Sequence, residues 1–279
     1  MIITSEQMNQ MHDIQLEIFK EIIRVCNELN LTYYMVHGSL LGTIKDNKFI
    51  PLDDDIDIAM FRKDYETLLK EGNKIINKRY FIQSNKTDKE YPLEFAKVRD
   101  SQTTYVAELL QNANINHGVF IDIFPIDYVD NKNNGSRFTR IRRKLLDYRI
   151  SSVFAGEKSF SSKCKLFVSR LIYPSWKNAV LKREKINSNE QSSKLINITG
   201  GKPKERGIPA EWFRESKKGL FEGVECLIPE GYHEYLTQIY GDYATRTLLE
   251  NKEHSDDSVE INAIIFDLEK PFLEYMKRD

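Results

Sequence analysis

Long hydrophobic runs are missing from this chain: no stretch approaches the ~20 apolar residues that a membrane-spanning helix requires. The opening residues, Met1 to Glu6, lack the charged and apolar regions of a secretory signal. Cysteine is scarce. Cys26, Cys164 and Cys226 stand far apart with no C-x-x-C spacing, which argues against a zinc knuckle and a disulfide scaffold and fits a reduced, cytoplasmic setting. Neither sign of charge prevails: 41 basic residues face 42 acidic ones, so the basic excess of nucleic-acid binders is absent. Internal repeats and low-complexity linkers are absent too, which leaves one large domain, or a core with an annex, for the 279 residues. Hydrophobic residues at 41% and aromatics at 11% are enough to build a sizeable core.

Periodicity orders the chain. Met11, Ile14, Ile18, Ile22, Val25 and Leu29 recur at spacings of three and four, which predicts an amphipathic helix over 5–29, with Ser5 and Glu6 at its start. A Tyr- and Val-rich strand is expected over 31–37, a short helix over 40–45, a strand over 53–60 and a helix over 64–76. Further strands are expected over 80–84, 95–99 and 103–106, and an apolar one over 119–124 that Pro125 stops. Asn131-Lys132-Asn133-Asn134-Gly135 is a loop by composition, and Gly200-Gly201-Lys202-Pro203 a second break. Helices are expected over 136–150, 163–172 and 234–240. The division is then a packing helix (1–30), a mixed α/β core (31–130) and a mostly helical annex (131–279), an α+β protein overall.

The most informative stretch is Pro51-Leu52-Asp53-Asp54-Asp55-Ile56-Asp57-Ile58. Side chains alternate along a strand, so Asp55, Asp57 and Ala59 share one face while Ile56, Ile58 and Met60 share the other. Two carboxylates at i and i+2 repel each other, and a hard divalent cation turns that repulsion into coordination. The alternatives are a solvated acidic loop, which the attached Ile-x-Ile pattern argues against, and an EF-hand, which fails because its sixth position would be Ile58 instead of Gly. Asp122 sits inside Val119-Phe120-Ile121-Asp122-Ile123-Phe124, where a lone carboxylate is costly unless paired or metal-bound. With Asp55 and Asp57 it would complete a three-carboxylate site on neighbouring strands, as a ligand or as the acceptor of a hydroxyl proton. Gly38-Ser39, between a strand and a helix, exposes backbone N–H groups suited to a phosphate. A Gly-Ser turn followed by a paired-Asp strand is a nucleotidyltransferase-type arrangement.

Three blocks carry a family resemblance. His37-Gly38-Ser39-Leu40-Leu41-Gly42-Thr43 with Phe49-Ile50-Pro51-Leu52-Asp53-Asp54-Asp55-Ile56-Asp57-Ile58 is the first. His117-Gly118-Val119-Phe120-Ile121-Asp122-Ile123-Phe124-Pro125-Ile126-Asp127 is the second. Pro229-Glu230-Gly231-Tyr232, through Tyr235-Leu236, into Tyr240-Gly241-Asp242-Tyr243 is the third. In this order they resemble the LicD family, with Leu52 where the family usually has Trp and no counterpart of the fukutin-type zinc site. The resemblance implies a nucleotidyltransferase-like fold and transfer of phosphocholine, or a related phospho-substituent, from a CDP-linked donor such as CDP-choline to a glycan, with CMP released. It implies Mg²⁺ or Mn²⁺ on Asp55, Asp57 and Asp122, and phosphate contacts from Gly38, Ser39, Lys97 and Arg99. The last two face the same way on their strand.

A choline head group would need aromatic faces for cation–π attraction, and Trp212, Tyr232, Tyr235, Tyr240 and Tyr243 are candidates. Arg137, Arg140, Arg142, Arg143, Lys144 and Arg149 crowd one helix with Phe138, Ile141 and Leu145, a pattern suited to peripheral contact with an anionic membrane face, where a lipid-linked glycan acceptor would lie. The rival readings are a DxD-type glycosyltransferase using a nucleotide sugar and a catalytically dead glycan-binding module.

Overall fold

The computed structural model describes residues 1–51, 53–129, 137–154, 160–187, 194–199, 203–245 and 258–276. Leu52, the loop at 131–135 and the break at 200–202 lie outside the described residues, as do the side chains of Arg137 and Arg140.

Strand β1 (Ile2–Thr4) leads into helix α1 (Ser5–Leu29). Thr4, not Ser5, caps the helix: its hydroxyl accepts from the Gln7 amide while the Gln7 side chain accepts from the Thr4 amide. Asn30 closes α1 in a left-handed conformation. Of the predicted apolar stripe Met11, Ile18, Ile22 and Val25 are fully enclosed, with Phe19 beside them, while Ile14 and Leu29 are half-buried; each enclosed side chain contributes roughly 1.5–3 kcal/mol by burial.

The core continues through β2 (Tyr34–Met35), α2 (His37–Lys45), β3 (Asp57–Phe61), α3 (Arg62–Ile75), β4 (Tyr80–Gln83), β5 (Ala96–Asp100), β6 (Thr104–Ala107) and β7 (Val119–Val129). Helices α4 (Arg137–Phe154), α5 (Phe160–Ile172) and α6 (Trp176–Asn187) follow. The remainder is β8 (Leu195–Ile198), β9 (Arg206–Pro209), β10 (Ser216–Phe221), β11 (Val224–Pro229), α7 (Tyr232–Tyr240), β12 (Ser258–Glu260) and β13 (Ala263–Asp267).

A mixed sheet runs β2-β3-β7-β5-β4, and β8 adds to β7 and β9 to β8. Among the described residues only the β3–β7 pair within it is parallel. Helix α1 and α3 pack on this sheet, and one cluster of buried side chains joins them to β10, β11 and α7.

Two expectations need correction. The region after residue 131 is not mostly helical: among the described residues six strands lie there, two of them in the central sheet, one pairing with β1 and one with β6. The hairpin β10–β11 turns through Glu222 and Gly223, both at positive φ, the twist that suits a two-residue connection. Nor does Pro125 stop β7. The Asp122 amide donates to Ile56 of the β3 side, and the Pro125 carbonyl accepts from Thr199 on the other edge. The nitrogen of position 125 therefore faces that second edge, where β5 has ended at Ile123 and β8 starts only at Ile126. No ladder bond is lost, so a proline is tolerated there.

Candidate active site

The register of β3 on β7 makes the site. Asp57 and Asp122 are Cα partners, and Asp55, just before β3, reaches the same point. Carboxylate oxygens from the three lie within 4.8 Å of one another. Regular pairing begins at Asp57, so residues 53–56 approach the site as an extended loop instead of the predicted strand. Ile56, Ile58 and Met60 are fully buried, as the alternation requires.

Few cations balance these acids. Lys97, the Cα partner of Asp122 on the other side of β7, donates to Asp122 Oδ1 at 2.5 Å and lies 3.4 Å over the Phe120 ring. Burial lowers the Lys97 ammonium and pushes the Asp122 carboxyl up to about 6, against the pull of Lys97. Burial, then the neighbouring Asp57 and Asp122, hold the Asp55 carboxyl well above the usual carboxylate range. His37 Nδ1 lies 3.2 Å from Asp57 Oδ2, and its Nε2 2.7 Å from Glu205 Oε1. Burial opposes the imidazolium, but the two carboxylates outweigh it and raise His37 to about 10. His37 also sits at φ 52, a left-handed conformation costly for a non-glycine residue.

Asp57 Oδ1 is buried and has no hydrogen-bond partner among the described residues. An orphaned carboxylate oxygen beside two further carboxylates is the donor set of a hard divalent cation, so the residues fit Mg²⁺ or Mn²⁺.

The other predicted residues are placed unevenly. Ser39 is buried, and its hydroxyl accepts from the Asp57 amide at 2.8 Å, so it anchors the start of β3. Gly38 lies in the first turn of α2, where an added Cβ would stand 2.1 Å from Asp53 Oδ2. Arg99 is fully buried: it donates to Gln83 Oε1 at 2.8 Å and the Gly118 carbonyl at 2.7 Å. Tyr240 has its hydroxyl raised by burial and then by Asp53, Glu205, Asp57 and Asp55, which places it by the acids. Tyr235 is fully buried with its hydroxyl on Glu205, and Tyr243 bonds His233. Tyr232 and Trp212 pack at the edge of the core near Gly231.

Residues 30–154 match the family model for the LicD/FKTN/FKRP nucleotidyltransferase domain. The similarity to that nucleotidyltransferase domain is confined to these residues. Over 232 residues the chain is also 26% identical to the lipopolysaccharide cholinephosphotransferase LicD of Haemophilus influenzae (strain ATCC 51907 / DSM 11121 / KW20 / Rd), covering 78% of this chain and 84% of that protein. The acidic cluster lies wholly within the matched domain, whereas Glu205, Tyr235 and Tyr240 come from beyond it.

Several residues that support this site escape sequence reasoning. His12 Nε2 meets the Asp53 carbonyl at 2.7 Å and stacks on Phe49. Gln15 donates to the carbonyls of Asp54 and Phe120, tying the acidic loop to β7. Tyr105 donates to Asp54 Oδ2 at 2.9 Å. Gln15 alone left a signal, a polar residue inside the apolar stripe between Met11 and Ile18.

Proposed function

We propose that the chain transfers phosphocholine, or a related phospho-substituent such as phosphoglycerol or phosphoribitol, from a CDP-linked donor to a hydroxyl of a cell-surface glycan or its lipid-linked precursor, releasing CMP. The observation that carries this reading is the convergence of Asp55, Asp57 and Asp122 with Lys97 inside the residues that match that domain. The kinship with a cholinephosphotransferase supports choline as the head group.

Asp55 and Asp57, with Asp122, would hold a divalent ion, which would supply charge neutralisation at the phosphate oxygens. Lys97, fixed by Asp122, keeps two further N–H donors for an incoming phosphate. Asp122, through the oxygen that Lys97 does not hold, either completes the metal site or takes the proton of the attacking hydroxyl. His37, clamped by Asp57 and Glu205, fixes the Asp57 carboxylate. Gly38 and Ser39 offer the amide groups of the α2 start to the donor, and the Asp53 carboxylate beside Gly38 marks that start as a place that takes an anion. Arg99 acts through Phe120, whose ring both it and Lys97 flank. Among the aromatic candidates Trp212, Tyr232, Tyr240 and Tyr243, Tyr240 is favoured for the head group by its closeness to the acids. CDP donors and a lipid-linked acceptor meet at the cytoplasmic face of a membrane.

Incubation with CDP-choline, CDP-glycerol or CDP-ribitol, with and without Mg²⁺ or Mn²⁺, tests the reading. Metal-dependent CMP release from one of them supports it. Turnover of a nucleotide sugar instead would assign the site to glycosyl transfer.

A further inference from the structure

Helix α5 is inside out. Phe167, Val168, Leu171 and Ile172 recur at helical spacing and are all exposed, Phe167 at 65% and Leu171 at 68%, whereas Ser169 is fully buried. A helix on a globular protein normally turns its apolar stripe inward. The small core that joins α4 to α6 is made of Leu146, Ile150, Tyr173, Ala179 and Val180, without the α5 stripe. On α4, Phe138 and Ile141 are one turn apart and exposed as well, at 76% and 55%. Apolar exposure repeated along one helix face marks a contact surface.

Charge decides what that surface meets. Residues 137–187 hold 14 Lys or Arg against Asp147, Glu157 and Glu184, which leaves 27 basic and 39 acidic residues in the rest of the chain. The near-neutral total therefore hides one strongly basic unit. Arg142, Lys144, Lys165, Arg170, Lys177 and Lys182 are exposed on it. Arg149 does not belong to this face: it is buried and donates to the carbonyls of Tyr173 and Pro174.

We propose that α4, α5 and α6 form a docking surface for an anionic lipid bilayer, with Phe138, Ile141, Phe167 and Leu171 set among the lipid headgroups and the surrounding cations on lipid phosphates. The combination selects this partner. A second copy of the chain would oppose one basic unit to another. A nucleic acid would take the cations but has no use for a row of exposed Phe, Leu and Ile. An interfacial helix needs both features together, apolar side chains at the acyl boundary and Lys or Arg at the headgroups. Ile141, Lys144 and Lys165 also line a cleft of about 740 Å³ that reaches Leu109 and Leu110, so a lipid chain has room beside α4. The inference does not rest on the transfer reaction.

Flotation of the full chain with vesicles decides it. Vesicles of phosphatidylglycerol in phosphatidylcholine should carry the chain at least about tenfold better than phosphatidylcholine alone, because binding combines apolar burial with attraction to anionic lipid. The double variant Phe167→Asp/Leu171→Asp should lose about tenfold or more of that binding at an unchanged Tm, since both side chains are exposed. Lys165→Glu/Arg170→Glu should weaken it as strongly without touching an apolar group. Equal binding to both vesicle types, no flotation, or full binding by both variants would overturn the proposal. So would a dimer in solution that the Asp variant dissolves.

Discussion

Asp57 and Asp122 face each other across the parallel strands β3 and β7, and Lys97 faces Asp122 from β5. Three adjacent strands thus set the acid–acid–base row by register alone. A one-residue slip of any of them would send its charged side chain to the other face of the sheet.

The acids should be bad for the metal-free fold and necessary for turnover. Burial and the neighbouring acids raise the proton affinity of Asp55, so at neutral pH its carboxyl costs the fold stability. Asp55→Asn should therefore raise the Tm without metal while cutting turnover roughly a thousandfold, since several kcal/mol of transition-state stabilisation is lost. Melting curves with and without Mn²⁺ check the first part: Mn²⁺ should raise the Tm of the native chain and leave the variant unmoved.

Two glycines of α2 should respond differently. A Cβ on Gly38 meets the movable Asp53 carboxylate, whereas a Cβ on Gly42 stands 2.2 Å from the Lys48 carbonyl oxygen, which is backbone. Gly42→Ala should cost about 1–3 kcal/mol, an overpacking penalty, and Gly38→Ala less. Urea unfolding measures both. Gly38→Ala should nevertheless raise the KM for the donor.

Glu205 is fully buried between His37 and Tyr235. Removing it leaves His37 Nε2 and the Tyr235 hydroxyl without this partner, and breaking such a buried pair costs about 3 kcal/mol or more. Glu205→Ala should show that loss in urea unfolding, and His37→Asn with Glu205→Gln together should recover part of it.

Acid should weaken the fold through His117. Burial lowers this imidazole from 6.5 to about 4, while its Nε2 meets the Ala113 carbonyl. A depressed histidine means that the unfolded chain binds the extra proton between these two values. Stability is then full above about pH 6.5 and falls as pH drops toward 4. His117→Gln should flatten that part of the pH–stability curve relative to the native chain.

Periodic and alternating patterns made much of this legible. The Met11–Ile18–Ile22–Val25 stripe fixed α1 to its last residue, and the Asp-x-Asp alternation with Asp122 located the acids. What escaped depends on pairing between distant segments. Glu205 has no local pattern, since it completes the site only through contact with His37. Pro125 misled because its tolerance depends on which strand lies beside it at that one position. Arg99 shares a strand face with Lys97, yet Gln83 and Gly118 claim its guanidinium, a fact that alternation cannot reveal.

The central claim is the direction of phosphoryl transfer, and one product analysis tests it. The acidic site alone permits attack on either phosphorus of a CDP-linked donor, because charge stabilisation serves whichever oxygen departs. The chain is given CDP-choline, Mg²⁺ and an amino-sugar-containing glycan, and the products are weighed by mass spectrometry. The account predicts a glycan that has gained phosphocholine, with free CMP in solution. A glycan carrying CMP, with phosphocholine released, would contradict it.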